Sequence, residues 1–136
     1  MVTGAGRLKA RVIINAVGPV YLGGRAGDAD LLASGYCEAL ALAAERDVKS
    51  VAFPAISTGA YGYPLDAAAA IAIREVRGFL ESPSSIEEVL FVLFGQEALC
   101  KRFSALCVVK EICFLNCGGA PDLRCSRSSR WRWASA

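Results

Sequence analysis

The chain contains no histidine. Ser-His-Asp and Cys-His nucleophilic machinery therefore cannot be assembled within it, and zinc held by imidazole is excluded in the same way. No uninterrupted apolar run reaches the roughly 18 residues that a membrane helix needs. The longest uncharged stretch, Ser50 to Leu65, is broken by two prolines, two glycines, a threonine and two serines. No N-terminal charge followed by an apolar core marks export, so an intracellular, cytoplasmic location and no membrane partner are expected. Chemistry in this chain must rest on backbone amides, carboxylates, hydroxyls, thiols or bound water, and no cofactor is expected.

What is present points to a packed domain. Hydrophobic residues make up 54% of 136 residues and charged residues 21%, which argues against disorder along the whole chain. The net charge of +2 is unevenly distributed. Residues 1–99 carry eight Lys/Arg against eleven Asp/Glu, a net of −3, whereas residues 100–136 carry seven against two, a net of +5. Cys37 stands alone, while the other cysteines (Cys100, Cys107, Cys113, Cys117 and Cys125) lie in the last third. Their spacing forms no paired CxxC motifs, so no metal site is expected.

The order of elements follows from periodicity. Arg11 to Val17 is a β-branched apolar run stopped by Gly18-Pro19 and predicts a buried strand. Asp28 to about Arg46 switches to helical spacing, with Leu32, Tyr36, Leu40 and Ala43 on one face and Asp28 or Asp30 as its cap. Val51 to Ile56 predicts a second strand, which Pro54 assigns to a sheet edge. Pro64 suits the first turn of the next helix, which runs to about Glu81 with Ala69, Ile73, Val76 and Leu80 as its buried stripe. Glu88 to Phe94 predicts a third strand and Gln96 to Leu106 a third helix. Such alternation predicts an α/β fold, a parallel sheet covered by helices on both faces.

Ligands in these sheets sit at the carboxyl ends of the strands. That edge holds Gly18 to Tyr21, Ser57 to Gly62, and Phe94-Gly95. Ser57-Thr-Gly-Ala-Tyr-Gly62 has the glycines to turn its N–H groups toward one point, ahead of a helix whose dipole adds positive potential. The physical reading is a phosphate cradle, and the bland alternative is an ordinary strand-to-helix connection. Tyr21, Tyr61 and Phe94 on the same edge favour a nucleotide, although Phe94 taken alone reads as sheet-end packing. Ala55-x-Ser57-x-Gly59 has the form of a nucleophile elbow without a histidine base. Gly4-Ala-Gly6 is too short for a dinucleotide fingerprint, and no Gly-Lys-Ser/Thr phosphate loop is present.

Phe53-Pro-Ala-Ile-Ser-Thr-Gly-Ala-Tyr-Gly-Tyr-Pro64 closely resembles the diphosphate-loop motif of macro domains, the ADP-ribose-binding modules. Thr3 to Leu8 and Val12 to Pro19 resemble the family's approach to its Val-Gly-Pro strand, and Glu88 to Phe94 is similar to its last strand. The resemblance covers about residues 1–99 and implies a three-layer α/β/α macro-type fold. It implies that Ser57, Thr58, Gly59, Ala60, Tyr61 and Gly62 wrap the diphosphate and distal ribose of ADP-ribose or of an ADP-ribosylated protein. Tyr61 then lies against the distal ribose, Phe94 stacks near the adenine, and Gly18, Pro19 and Val20 shape the neighbouring wall.

The family includes hydrolases of O-acetyl-ADP-ribose and of mono-ADP-ribosyl links. The first strands of its sheet, and the Asn-rich segment and glycine-rich loop that carry hydrolysis, have no counterpart here. The expectation is an incomplete fold with two unpaired edges, a ligand-binding function, no assigned catalytic residue, and hydrolysis in doubt. A non-catalytic fragment or interaction module needing a partner strand is the alternative. Asn15, where relatives often have His, reads as a polar core residue with a satisfied hydrogen bond. Residues 1–99 are expected to form the partial macro domain, and 100–136 an atypical Cys/Arg-rich extension without fixed structure. Arg124, Arg127, Arg130 and Arg132 with Trp131 and Trp133 carry the groups of a nucleic-acid contact. The plainer account of a tail is preferred, and no nucleic-acid partner is expected.

Overall fold

The computed structural model describes residues 1–24 and 27–93 and, beyond them, the backbone strands at 112–116 and 133–135. The order is β1 (Val2–Gly4), β2 (Val12–Ile14), α1 (Asp28–Ala44), β3 (Ser50–Pro54), α2 (Leu65–Leu80), β4 (Glu88–Leu93), β5 (Ile112–Asn116) and β6 (Trp133–Ser135). Strands β3, β4, β5 and β6 form one parallel sheet in that order, with Phe53 opposite Phe91 and Val92 opposite Leu115. Strands β1 and β2 form a separate antiparallel pair, with Val2 opposite Ile14 and Gly4 opposite Val12.

Alternation sets the face that β4 buries. Val89, Phe91 and Leu93 are buried, while Glu88, Leu90 and Val92 are half-buried. Against the buried face lie Leu32, Tyr36, Leu40 and Ala43 of α1, the stripe that the 3.6-residue period predicts, each at most 1% exposed. In α2 Ala69, Ile73 and Val76 are buried as expected and Leu80 is half-buried. The alanines of α2 let the two helices pack directly on each other. Tyr36, Phe53 and Phe91 form the centre, with ring centroids 5.1 Å, 6.3 Å and 6.1 Å apart. Each such ring pair contributes about 0.5–1.5 kcal/mol beyond its buried area.

Pro54 closes β3, which is an edge of the four-stranded sheet, so its missing N–H interrupts no ladder. Among the described residues both helices cover one face of the sheet. The predicted third helix, Gln96 to Leu106, lies outside the described residues.

Several expectations need correction. The predicted buried strand from Arg11 to Val17 shrinks to Val12–Ile14, half-exposed, with Val17 83% exposed. Its only ladder is with β1, and no strand pairs its other edge among the described residues, so much of the apolar run stays open to solvent. Neither Asp28 nor Asp30 caps α1. Gly27 holds the cap position, in a left-handed conformation at φ 112°. Pro64 is the cap residue of α2, with extended ψ of 126°, rather than a residue of its first turn. Asn15 is exposed, not core, although its backbone N–H donates to the Met1 carbonyl at 2.8 Å and its Nδ2 approaches the same carbonyl and Thr3 Oγ1 at 3.5 Å.

Strand β2 packs Ile14 against the core and meets α1, and contacts beyond both of its ends add to this. Arg11 Nη1 donates to the Asp47 carbonyl at 3.1 Å, just ahead of β3. Beyond the other end of β2, Gly18 lies against Ile56 and Ser57, just after β3. Strand β2 is thus linked beyond both of its ends to residues that flank β3, yet the two strands belong to separate sheets and share no ladder.

Candidate ligand-binding site

The loop between β3 and α2 is shaped by its own backbone. Thr58 turns back on Ala55, its Oγ1 donating to the Ala55 carbonyl at 3.0 Å and its N–H at 3.4 Å. The Gly62 N–H donates to Gly59 at 2.9 Å and the Tyr63 N–H to Ser57 at 3.0 Å, closing the loop into a ring. Ser57 and Gly62 sit at φ 65° and 66°, in the left-handed region that costs a residue with a Cβ about 1–2 kcal/mol. Among the described residues, the N–H groups of Gly59, Ala60 and Tyr61 find no acceptor, and all three residues are exposed. These are the donors that an anion would meet.

The first wall comes from the other side of the edge. A Cβ on Gly18 would stand 2.1 Å from Ser57 Oγ and 2.5 Å from Ile56 Cγ2, so only glycine permits this approach. Further along, the Tyr21 N–H donates to the Tyr61 carbonyl at 2.9 Å, and the Tyr21 ring lies on that of Tyr63 with centroids 4.9 Å apart. The structure thus brings Gly18, Ser57, Tyr21 and Tyr61 to one edge. Pro19 is half-buried in this wall and Val20 is 52% exposed. Phe94 lies outside the described residues.

Three features of the site were not legible. Tyr36 is 1% exposed, and its hydroxyl is pushed up to about 12 by burial, partly offset by a backbone hydrogen bond at Ile56. It therefore supports the start of the loop from below, and a lone tyrosine in an apolar stripe was the available signal, since a buried phenol needs a partner. Asp28 is buried at 7% exposure, and its Oδ2 accepts the Leu22 N–H at 3.1 Å. Tyr63, also buried, has its hydroxyl raised above the usual range by burial and by the nearby Asp28 charge.

None of the nucleophile candidates in the described site is activated. Ser57 Oγ is buried and makes no hydrogen bond, facing Gly18 instead of an open pocket as a nucleophile elbow would. Cys37 donates to Glu75 Oε2 at 3.1 Å, and burial together with Glu75 pushes its thiol to about 11, so it stays protonated at neutral pH. Asp66 occupies the first turn of α2, where its charge offsets that helix's positive end. No cluster of three potential metal ligands occurs among the described residues, and no helix there is long and apolar enough to cross a membrane. A cavity of about 420 Å³ along α2, lined by Arg74 and Arg77 among others, lies away from this edge.

Acceptor-free backbone amides at the carboxyl end of a parallel sheet, beside a glycine and aromatic rings, mark the chain as an α/β module with its candidate site at the sheet edge. Residues 1–72 match the Macro domain family, and the chain belongs to it. A macro domain-containing protein of Caldanaerobacter subterraneus is 57% identical over 95 residues, covering 70% of this chain and 54% of that protein. The O-acetyl-ADP-ribose deacetylase of Klebsiella pneumoniae is 50% identical over 97 residues, covering 71% and 55%. Among solved structures, the Oceanobacillus iheyensis macrodomain with ADP superposes with a TM-score of 0.71 at 34% identity, covering 78% of this chain and 55% of that one. The Trypanosoma brucei macrodomain in complex with ADP-ribose gives 0.69 at 33% identity, covering 76% and 43%. The chain spans about half the length of the curated relatives it matches.

Proposed function

We propose that this chain is an ADP-ribose-binding macro module, with Ser57 to Gly62 holding the diphosphate and the Gly18–Val20 wall closing one side. Free ADP-ribose and an ADP-ribosyl group on a protein present the same diphosphate and are both ligands in this reading. The observation that carries it is the set of exposed, acceptor-free N–H groups at Gly59, Ala60 and Tyr61, on a loop closed by its own hydrogen bonds. The loop itself contains no carboxylate, and its serine hydroxyl is buried, so binding without bond cleavage is the function proposed. Relatives named O-acetyl-ADP-ribose deacetylase make hydrolysis of that ester the activity to assay beside it.

Thermal unfolding with and without millimolar ADP-ribose is the test. A ligand that binds only the folded state raises the midpoint, by about 2.7 kcal/mol of stability when present at a hundred times its Kd. A shift with ADP-ribose and none with AMP supports the diphosphate cradle. An unshifted midpoint refutes it.

A second reading rests on a separate observation. Strands β2 and β3 lie in separate sheets, and each keeps an unpaired edge among the described residues. Such edges accept an added strand. In that reading the chain acts as an interaction module, and light scattering at increasing concentration would show self-pairing where the binding reading expects a monomer.

A further inference from the structure

We propose that Asp28 is a positioning residue for the ligand loop, its carboxylate fastening the Gly18–Leu22 wall so that the wall holds the amides of Ser57 to Gly62 in place. This rests on the binding reading above and adds the device that keeps the site assembled.

Asp28 is the one polar or charged residue in the buried class among the described residues. A buried carboxylate is costly unless its charge and its oxygens are matched. Here it opens α1, where the free N–H groups and the helix dipole favour negative charge. Its Oδ2 is not used to cap the helix; it accepts the N–H of Leu22, six residues earlier. The neighbouring amide, Tyr21, points to the other partner and donates to Tyr61 of the ligand loop.

Two successive amides of one wall are thus fastened to different elements, one to a helix and one to the loop. The Tyr21 ring packs on Tyr63 between them. At the far end of the wall Gly18 touches Ile56 and Ser57. Release of Leu22 frees the wall from the one side-chain hydrogen bond that ties it to α1 among the described residues, and leaves the Tyr21–Tyr61 bond, the Tyr21–Tyr63 ring contact and the Gly18 approach to hold it. Direct contact between a carboxylate and a diphosphate is repulsive, because both are negative, whereas an anchor behind the wall carries no such penalty.

The test compares Asp28→Ala with Asp28→Asn in the full chain. The amide Oδ1 of the Asn variant keeps an acceptor for Leu22, whereas the Ala variant has none. The expected result is that Asp28→Ala speeds amide hydrogen exchange at Leu22 and Tyr21, and weakens ADP-ribose binding by about tenfold or more. Asp28→Asn should stay within about threefold of the native chain in both readouts. A merely structural role would lower the melting temperature of both variants without singling out these two amides. Unchanged exchange in a folded Asp28→Ala chain overturns the proposal, and so does an Asn variant as impaired as the Ala variant. Should Asp28→Ala not fold, the native chain decides: a Leu22 amide protected well beyond an open peptide supports the anchor, and one exchanging as an open peptide overturns it. The exchange experiment needs no ligand, so a native chain that fails to bind ADP-ribose would defeat the functional reading while this one is still decided.

Discussion

Gly18→Ala is the most direct probe of whether the two walls of the site meet. The added Cβ would stand 2.1 Å from Ser57 Oγ and 2.5 Å from Ile56 Cγ2, against an ordinary contact of 3.4 Å or more. Rotation about χ1 can swing the serine oxygen away. Ile56 cannot yield so cheaply, because a β-branched side chain is stiff at χ1, so the backbone must open by about 1 Å. Overpacking of this size costs about 1–3 kcal/mol, and at about 4 °C per kcal/mol the melting temperature should fall by roughly 4–12 °C. The shift also moves the loop amides, so ADP-ribose affinity should drop by about tenfold or more. Calorimetry on the native chain and the variant measures both effects. Ile56→Ala combined with Gly18→Ala should recover part of the loss, giving a coupling of about 1 kcal/mol in a double-mutant cycle. A Gly18→Ala chain that melts and binds like the native one would show that Gly18 and Ile56 do not touch, and the site as described would be wrong.

Other outcomes follow from the same geometry. Tyr36 has its hydroxyl pushed up from 10.0 to about 12 by burial. Between pH 10 and 12 the unfolded chain has released this proton and the folded chain has not, so stability should fall as pH rises, by on the order of 2–3 kcal/mol in all. Tyr36→Phe should abolish that part of the slope and cost about 1 kcal/mol at neutral pH, as read from urea midpoints across the range. Cys37, raised from 9.0 to about 11, adds a slope of the same sign at lower pH in both chains. An unchanged slope in Tyr36→Phe would contradict the burial. Gly59→Ala meets nothing within 4 Å and has no positive φ, so its melting temperature should stay native while ADP-ribose binding weakens. Gly62→Ala, equally uncrowded but at φ 66°, should instead lose about 1–2 kcal/mol of stability. Loss of stability in Gly59→Ala, or none in Gly62→Ala, would contradict the loop geometry.

Periodic signals were legible because they depend only on local sequence. The buried stripe of α1 follows from the 3.6-residue period, and the edge position of β3 follows from a proline that cannot donate to a ladder. The candidate loop was legible for a related reason, since two glycines between a strand end and a helix start mark a turn in any setting. Misreadings arose where a neighbour decides. The run from Arg11 to Val17 has the composition of a buried strand, but burial needs a second element on its flank, and composition does not say whether one is there. Asp28 carries the usual cap chemistry. Its oxygen turned instead to a loop amide brought near by the chain's path, with Gly27 taking the cap position.

By itself, then, the sequence determined the two described helices, the edge strand, the absence of imidazole chemistry and the position of the candidate loop, all properties of short-range pattern and residue inventory. Only the tertiary structure decided that Gly18 must be glycine because Ile56 and Ser57 pack against it, and that Tyr36 supports the loop from beneath. It also decided that Gly59, Ala60 and Tyr61 are the donors left open while Gly62 and Tyr63 close the ring. The reason is physical: which hydrogen-bond donors remain free for a ligand depends on which acceptors the fold has already brought within about 3 Å.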